Sequence, residues 1–407
     1  MSTRIRATLI TISFVLMTYI VVGGLLGKNE SSSEKTYRDL GVYSEVLSRI
    51  KQDYVTEPDL RKVTDGAIRG LLEALDPYST YLTPEQYQDY LQHPDPGPAD
   101  IGAFIAKPGH GLATVISVLP GSPTEKAGIK IGDIIDRIDN DSTRDLSVLQ
   151  LQRLLAGAPG THVTLWVVRD GRNEPQKIDV ARVPLSYPPV MAKIVDDGDG
   201  YLRLATFEKG KAAQVSEKLK ELQSKGATKI ILDLRDCAGG DVQEAVATAS
   251  LFLDHGLISY LAGQRYPRQD LPANPQGPVS KLPLVVLINQ STAGPAELVA
   301  ASILDNKRGE VVGVRSFGVG VYQRPIPVGD GSALVLSVAK YYAPDGKAIH
   351  DNGVTPSVVQ ASNAETASAD EENETEEPEH FGGKDDLQLQ KAIEILKQPP
   401  AAAKAAA

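Results

Sequence analysis

A strand, a polar turn and a helix follow one another between Leu282 and Gln323, and this order constrains the fold more than any other feature of the chain. Residues 284–288 read LVVLI, a short apolar run that is typical of a buried strand in a parallel sheet. The polar turn NQSTAG comes next, and Pro295 then begins a helical pattern in the first turn, where proline suits a helix. Strand, tight turn and helix N-terminus form the layout that holds a nucleophile above an α/β sheet.

The same alternation of strands and helices precedes this stretch. Strand patterns at 201–207 and 229–234 are each followed by a helical pattern, at 212–224 and 242–253. Alternation of this kind implies a largely parallel sheet covered by helices. The Pro-rich segment 267–283 interrupts the pattern and is predicted to be a surface loop.

Two loops in the stretch resemble the catalytic segments of the carboxy-terminal processing proteases, serine peptidases with a Ser/Lys dyad and a PDZ domain. The family's nucleophile segment reads like N-x-G-S-A-S-A-S-E, and its base loop reads like T-F-G-K-G-x-V-Q. Residues 289–297 of this chain read NQSTAGPAE, and residues 316–323 read SFGVGVYQ. The resemblance places Gly294 at the nucleophile and Val319 at the base, and it keeps only Gln323, which matches a polar helper of the dyad.

Three substitutions thus remove three parts of one mechanism. Peptide hydrolysis needs an activated nucleophile and a base, whereas glycine has no side chain and valine accepts no proton. Pro295 lacks the N–H that the residue after a nucleophile contributes to the oxyanion hole. The first hypothesis is therefore an inactive member of the family, a pseudoprotease. It would bind protein or peptide C-termini, or form assemblies with an active relative or with its own copies.

The alternative hypothesis is an active serine-type endopeptidase that uses displaced residues, so the sequence leaves open whether the chain is an enzyme. Ser291 or Thr292 would then supply the hydroxyl, and Lys307, Lys340 or Lys347 would supply the amine. Each of these side chains also fits a surface turn or a solvated charge, which is the preferred interpretation.

A glycine-rich loop after residues 229–234 supplies another part of the predicted site. Residues 232–240 read LDLRDCAGG and resemble the family's L-D-L-R-x-N-P-G-G loop. The resemblance implies that Gly239 and Gly240 bring backbone N–H groups against the substrate carbonyl as part of an oxyanion hole. Cys237 as a replacement nucleophile is disfavoured, because no histidine lies near it in sequence and a buried cysteine is usually inert.

Residues 100–183 are predicted to form an inserted PDZ domain. Residues 121–133 read GSPTEKAGIKIGD, similar to the G-S-P-A-x-x-A-G-L-x-x-G-D signature of protease-linked PDZ domains, and a helix is predicted at 146–155. PDZ domains add a chain's C-terminal end as a strand to a sheet edge and capture its carboxylate on backbone N–H groups. The alternative is a structural domain with a degenerate groove. The residues that resemble the carboxylate-binding loop are Ile101, Gly102, Ala103 and Phe104.

The N-terminus has the pattern of a membrane signal. Arg4 and Arg6 precede an uncharged run from Ala7 to Leu26, which is long enough to cross a bilayer as a helix. Positive residues before the run favour a body outside the cytoplasm, in the periplasm or another extracytoplasmic space. Residues 1–28 are therefore predicted to be an anchor or a cleaved signal segment, and the length of the run favours the anchor.

The remaining segments complete a multi-domain α/β fold. An N-terminal helical segment at 36–95 ends near LDPYSTYLTP at 75–84, similar to the family's L-D-P-Y-S-x-Y-L-x-P motif. A peptidase-like core with a largely parallel sheet is predicted at 184–358, closing on YYAPDGKAI at 341–349. Residues 359–407 are predicted to be an acidic disordered tail with a short amphipathic helix.

Composition is that of an ordinary globular protein, with 42% hydrophobic and 23% charged residues in a chain of 407. The net charge is −10, but seven acidic residues lie within 370–379, and no basic face indicates nucleic-acid binding. The six histidines are scattered and the single cysteine excludes an internal disulfide framework, so neither a metal nor a cofactor is predicted.

Overall fold

The structure is a computed structural model of the chain. It describes residues 17–18, 32–108, 111–169, 174–195, 198–275, 278–363 and 381–398. The predicted membrane segment lies outside the described residues except for Met17 and Thr18, as does the acidic run at 370–379. None of the helices in the described ranges is long and apolar enough to cross a membrane.

The helices of the described ranges are α1 (Ser32–Asp53), α2 (Leu60–Glu73), α3 (Pro84–Gln92), α4 (Pro123–Lys126), α5 (Val148–Leu155), α6 (Lys211–Ser224), α7 (Val242–Ser250), α8 (Pro295–Asp305) and α9 (Leu387–Lys397). The chain divides into one unit that ends at Ile68 and a second that begins at Arg69. Helix α1 and most of α2 belong to the first unit, and all other elements belong to the second.

The strands are β1 (Thr80–Leu82), β2 (Ala103–Ala106), β3 (Ala113–Val118), β4 (Ile134–Ile138), β5 (Asp141–Ser142), β6 (His162–Val168), β7 (Gln176–Ala181), β8 (Met191–Ile194), β9 (Gly200–Arg203), β10 (Ile230–Asp233), β11 (Leu257–Ala262), β12 (Gln269–Pro272), β13 (Leu284–Ile288), β14 (Glu310–Gly313), β15 (Val321–Pro327), β16 (Ala333–Tyr342) and β17 (Val358–Val359).

An antiparallel sheet forms the inserted domain, in the order β2-β3-β4-β6-β7, with β5 paired to β4. Its core is fully buried around Ile135, Leu151 and Leu165. Strand β2 lies at the edge of this sheet, and helix α5 packs beside it. An edge strand next to a helix is the arrangement to which a peptide strand can be added.

A second sheet has the order β17-β14-β13-β10-β9-β8 and is parallel except for β8. Successive side chains of each strand point to opposite faces of the sheet, so each strand contributes to two apolar layers. Ile230 and Leu232 of β10 belong to the core that contains helices α6, α7 and α8. Ile231 belongs to a separate cluster on the other face, where Leu389 and other apolar residues of α9 pack. The predicted tail helix is therefore a layer of the core.

A third sheet, in the order β1-β16-β11-β12 with β15 paired to β16, closes the unit. Strand β1 comes from the LDPYSTYLTP motif, so this motif joins the segment after α2 to the peptidase-like core. The prediction of a surface loop at 267–283 was wrong for residues 269–272. They form β12, which pairs with β11 at the edge of the sheet. Pro272 is compatible with this position, because an edge strand needs hydrogen-bond partners on one side only.

Candidate active site

The turn between β13 and α8 has the backbone of a strained strand-to-helix elbow. Gly294 lies at its tip with a φ of 63° and a ψ of −121°, a conformation that side-chain-bearing residues rarely adopt. A Cβ atom added to Gly294 would meet no other atom within 4 Å. The tip therefore has room for a side chain, although the chain provides none.

Side chains below the tip hold the elbow in place. Asn289 Oδ1 accepts hydrogen bonds from the backbone N–H groups of Asp236, at 3.0 Å, and Ser291, at 3.1 Å. The hydroxyl of Thr292 donates to the carbonyl of Leu234 at 2.8 Å and is fully buried. Since Thr292 uses its proton to fix the turn, it is poorly placed to attack a substrate. Ser291 is also buried, with 5% of its surface exposed.

The lysines that could replace the base lie at separate places. Lys307 follows the C-terminal end of α8, at the opposite end of that helix from Gly294. Lys347 is an exposed partner of Asp345, with 2.7 Å between Nζ and Oδ2. Lys340 lies on β16 opposite Val321. The described residues thus place none of these amines in a hydrogen bond with Ser291 or Thr292.

A buried carboxylate joins the elbow to the loop at 316–320. Glu297 Oε2 accepts hydrogen bonds from the backbone N–H groups of Gly294 and Val319, each at 2.8 Å. Its Oε1 accepts from Ser316 Oγ at 2.5 Å and from Gly318 N at 2.7 Å. Because one oxygen binds both amides, the backbones of Gly294 and Val319 lie only a few ångströms apart.

Burial raises the pKa of Glu297 to about 7, although the hydrogen bonds from Ser316, Val319, Gly294 and Gly318 lower it. No role was predicted for Glu297 from the sequence. The sequence does contain a signal, because Glu297 is the single charged residue in the largely apolar run PAELVAASIL. A charge in such a run indicates a buried polar partner.

Gln323 contacts the LDPYSTYLTP motif at residues 75–84. Its Nε2 donates to the carbonyl of Tyr78 at 2.7 Å. The ring of Tyr78 packs edge-on against His350, with 5.4 Å between ring centroids. His350 is buried, its Nδ1 has no hydrogen-bond partner in the described part of the chain, and burial lowers its pKa. Gln323, which was predicted to help a base, thus binds the backbone of the LDPYSTYLTP motif.

The predicted oxyanion loop keeps its glycine backbone. Gly239 and Gly240 have φ values of 72° and 101°. The carbonyl of Gly239 accepts a hydrogen bond from Phe207 N at 3.1 Å, which ties the loop to the segment after β9. Cys237 is fully buried, and burial raises the pKa of its thiol, so the thiolate that a nucleophile requires is disfavoured.

The inserted domain lies directly on these loops. A Cβ atom added to Gly239 would come within 2.0 Å of Phe104 Cε1, so only glycine fits beneath this ring. Ser117 Oγ donates to the carbonyl of Asp236 at 2.7 Å. The contact also includes an apolar cluster that joins the two domains. Its members are Phe104, Ala106, Ile116, Ala238, Ala293, Phe317 and Val319.

The four residues predicted to bind a peptide carboxylate have different environments. Ile101 is fully buried in the core of the inserted domain, and Ala103 packs against that core. Gly102 has a φ of 82°, and its N–H donates to Asp100 Oδ1 at 2.8 Å. Phe104 faces Gly239 of the predicted oxyanion loop. Capture of a carboxylate here stays a prediction.

Comparison with known proteins identifies the parts of the chain. Peptidase family S41 matches residues 199–360, the PDZ domain matches residues 114–169, and the activating protease CtpB N-terminal domain matches residues 22–86. The carboxy-terminal-processing protease of Bartonella bacilliformis is 31% identical over 354 residues, which are 85% of this chain and 80% of that protein. This chain belongs to the carboxy-terminal processing protease family.

Two further relatives agree with this membership. The carboxy-terminal processing protease CtpA of Bacillus subtilis is 31% identical over 349 residues, 84% of this chain and 73% of that protein. The solved structure of a photosystem II D1 C-terminal processing protease is similar, with a TM-score of 0.65 and 27% identity over 79% of this chain and 92% of that chain. The predicted multi-domain α/β fold, with a PDZ domain and a peptidase core, is confirmed.

Proposed function

We propose that this member of the carboxy-terminal processing protease family binds protein C-termini and does not cleave them. The observation that carries the proposal is the pair of amides bound by Glu297. The two positions that resemble the nucleophile and the base, Gly294 and Val319, are held side by side, yet neither has a side chain that can act. The scaffold of a dyad is therefore present without the dyad.

The third substitution and the displaced candidates support the same proposal. Pro295 has no N–H to donate to an oxyanion, so the backbone after the elbow tip lacks a donor. The alternative of a displaced nucleophile is less well supported, because the Thr292 hydroxyl donates to Leu234 O inside the core. Cleavage by such a site would also need a base, and within the described residues no hydrogen bond joins Lys307, Lys340 or Lys347 to Ser291 or Thr292.

Binding of C-termini is supported by the unpaired edge of the PDZ sheet. Strand β2 pairs with β3 on one side, and within the described ranges no strand pairs with its other side, next to α5. A peptide that pairs with β2 would have its carboxylate near Gly102 at the start of the strand. Binding requires the Gly102 N–H, or a neighbouring donor, to exchange Asp100 for the peptide carboxylate.

Peptides that end in an apolar residue with a free carboxylate are expected to bind the full chain, and their amidated forms are expected to bind about 10–100-fold more weakly. A hydrogen bond to a charged group contributes about 1.5–3 kcal/mol, which corresponds to that change in affinity. Titration calorimetry with matched free and amidated peptides measures the difference, and mass spectrometry of the same mixture checks that the peptide stays intact. Equal affinity of the two forms would refute carboxylate capture.

We also propose that the body lies outside the cytoplasm, tethered by the N-terminal segment. The support is the pattern of Arg4 and Arg6 before the apolar run from Ala7 to Leu26. Alkaline phosphatase, which folds only where disulfides form, should be active when fused to the C-terminus. A fusion that is produced at full length but is inactive, beside a cytoplasmic reporter fusion that is active, would show the opposite orientation.

A further inference from the structure

A buried arginine at the start of the oxyanion loop connects that loop to the C-terminal segment. Arg235 is 1% exposed and forms paired hydrogen bonds with Asp233 and with Asp386. The contacts with Asp386 are 2.8 Å from Nη1 to Oδ1 and 2.7 Å from Nη2 to Oδ2. Arg235 Nη1 also donates to Gln388 Oε1 at 3.1 Å. The Arg235 guanidinium thus donates three hydrogen bonds to Asp386 and Gln388, which lie more than 150 residues away in sequence.

The C-terminal segment is also held by an aromatic ring. Phe381 packs against two guanidinium groups, with 4.0 Å from its ring centroid to Arg203 Cζ and 4.3 Å to Arg235 Cζ. The next residue, Gly382, accepts a hydrogen bond from Lys193 Nζ at 2.7 Å through its carbonyl. Cation–π contacts of this kind are stronger when they are shielded from solvent, as at the buried Arg235.

The charged cluster continues from Arg235 to the elbow. Arg203 lies 3.2 Å from Asp233 and 4.0 Å from Asp236, which follows Arg235 in the loop. Asp236 Oδ1 accepts a hydrogen bond from Asn289 Nδ2 at 2.7 Å. Asn289 in turn holds the turn below Gly294. Burial alone would raise the pKa of Asp233, but Arg235 and Arg203 lower it below its usual range, so its carboxylate stays charged in the cluster.

We propose that the segment from Phe381 to Lys397 is a clamp that fixes the conformation of the predicted oxyanion loop. Asp386 is the positioning residue of this clamp. Asp386 holds the guanidinium of Arg235, and Arg235 begins the loop that contains Cys237 and Gly239. The same loop includes Asp236, whose carbonyl accepts the hydrogen bond from Ser117 of the PDZ domain. Loss of the Asp386 carboxylate would loosen this loop while α9 keeps its apolar contacts with the sheet. The inference goes beyond the proposed function, because it holds whether or not the chain cleaves peptides.

The loop contains its own reporter. Cys237 is the single cysteine of the chain and is fully buried in the loop, so any thiol labelling reports the opening of this region. The test measures iodoacetamide labelling of the intact chain and of Asp386→Asn under native conditions. Asparagine keeps the N-cap that Asp386 provides to Leu389 but removes the charge that pairs with Arg235. Labelling is expected to be about 10–100-fold faster in Asp386→Asn, the change that follows from losing hydrogen bonds between charged groups.

A matched control separates the clamp from a general loss of stability. Leu219→Ala removes a fully buried side chain of α6, on the face of the sheet opposite to α9. A second control, Asp386→Glu, keeps the carboxylate. At denaturant concentrations where the variants have equal global stability, Asp386→Asn should label faster than Leu219→Ala, and Asp386→Glu should label more slowly than Asp386→Asn. Should Asp386→Asn fail to fold, Gln388→Ala, which removes one acceptor of Arg235, replaces it. Equal labelling of the clamp variant and Leu219→Ala at equal stability would overturn the proposal.

Discussion

A triple variant that combines Gly294→Ser, Val319→Lys and Pro295→Ala is expected to gain endopeptidase activity on unfolded protein. Under the proposed function, each change restores one missing part: the nucleophile, the base or the backbone donor for the oxyanion. Without Pro295→Ala the activity should be lower by about 10²–10³, the usual effect of removing one oxyanion donor. Each single variant should remain silent, because members of a catalytic dyad act as a unit.

The geometry of the elbow supports this expectation. A serine side chain at 294 meets open space, and Glu297 already holds the backbone of 319 close to that of 294. A lysine at 319 would lie among apolar neighbours such as Phe317, and desolvation lowers the pKa of a lysine toward the range that a base needs.

The matched control for the triple variant carries Gly294→Ala in place of Gly294→Ser. It has the same backbone strain, lysine and oxyanion donor but lacks the hydroxyl, so activity in both variants would come from a contaminant. Release of fluorescent peptides from labelled casein measures the gain. A folded triple variant with no activity would show that more than these three positions disabled the site.

The second large effect is a dependence of stability on pH through Glu297. Relative to the variant Glu297→Gln, the free energy of unfolding of the wild-type chain should fall by about 3 kcal/mol as the pH rises from about 4.5 to about 8. The folded-state pKa of about 7 lies above the ordinary value of 4.5, so the native state holds the proton more tightly than the unfolded chain. This contribution is complete below pH 4.5 and is lost as the pH rises through 7.

Glutamine is the appropriate reference because it has nearly the shape of the protonated carboxyl and does not titrate. Urea unfolding of both chains at several pH values gives the difference directly. Parallel pH profiles would mean that the four hydrogen-bond donors around Glu297 stabilise its carboxylate enough to cancel the effect of burial.

Much of the fold could be predicted from local patterns. The run at 284–288 forms the central strand β13, and Pro295 begins α8 as expected for a proline in the first turn. The GSPTEKAGIKIGD motif lies in the PDZ domain, which is confirmed. Such features depend on periodicity and turn chemistry within about ten residues, which a single sequence displays directly.

The contacts that connect distant segments could not be predicted in this way. Nothing local to Phe104 indicates that its ring covers Gly239, and nothing local to Asp386 indicates that it binds Arg235. The short amphipathic helix of the tail was predicted, but nothing in its local sequence indicates that its apolar face completes a layer of the sheet. Side-chain pairs separated by more than a hundred residues depend on the whole topology, to which one sequence gives no direct access.

The central claim is that the unaltered chain has no catalytic serine or threonine. The most direct test is incubation of the purified wild-type protein with a serine-reactive fluorophosphonate probe and with unfolded casein, beside an active relative from the same family. We expect labelling and cleavage by the relative and neither by this protein. Labelling or cleavage by the wild-type chain that disappears in Ser291→Ala or Thr292→Ala would contradict the account.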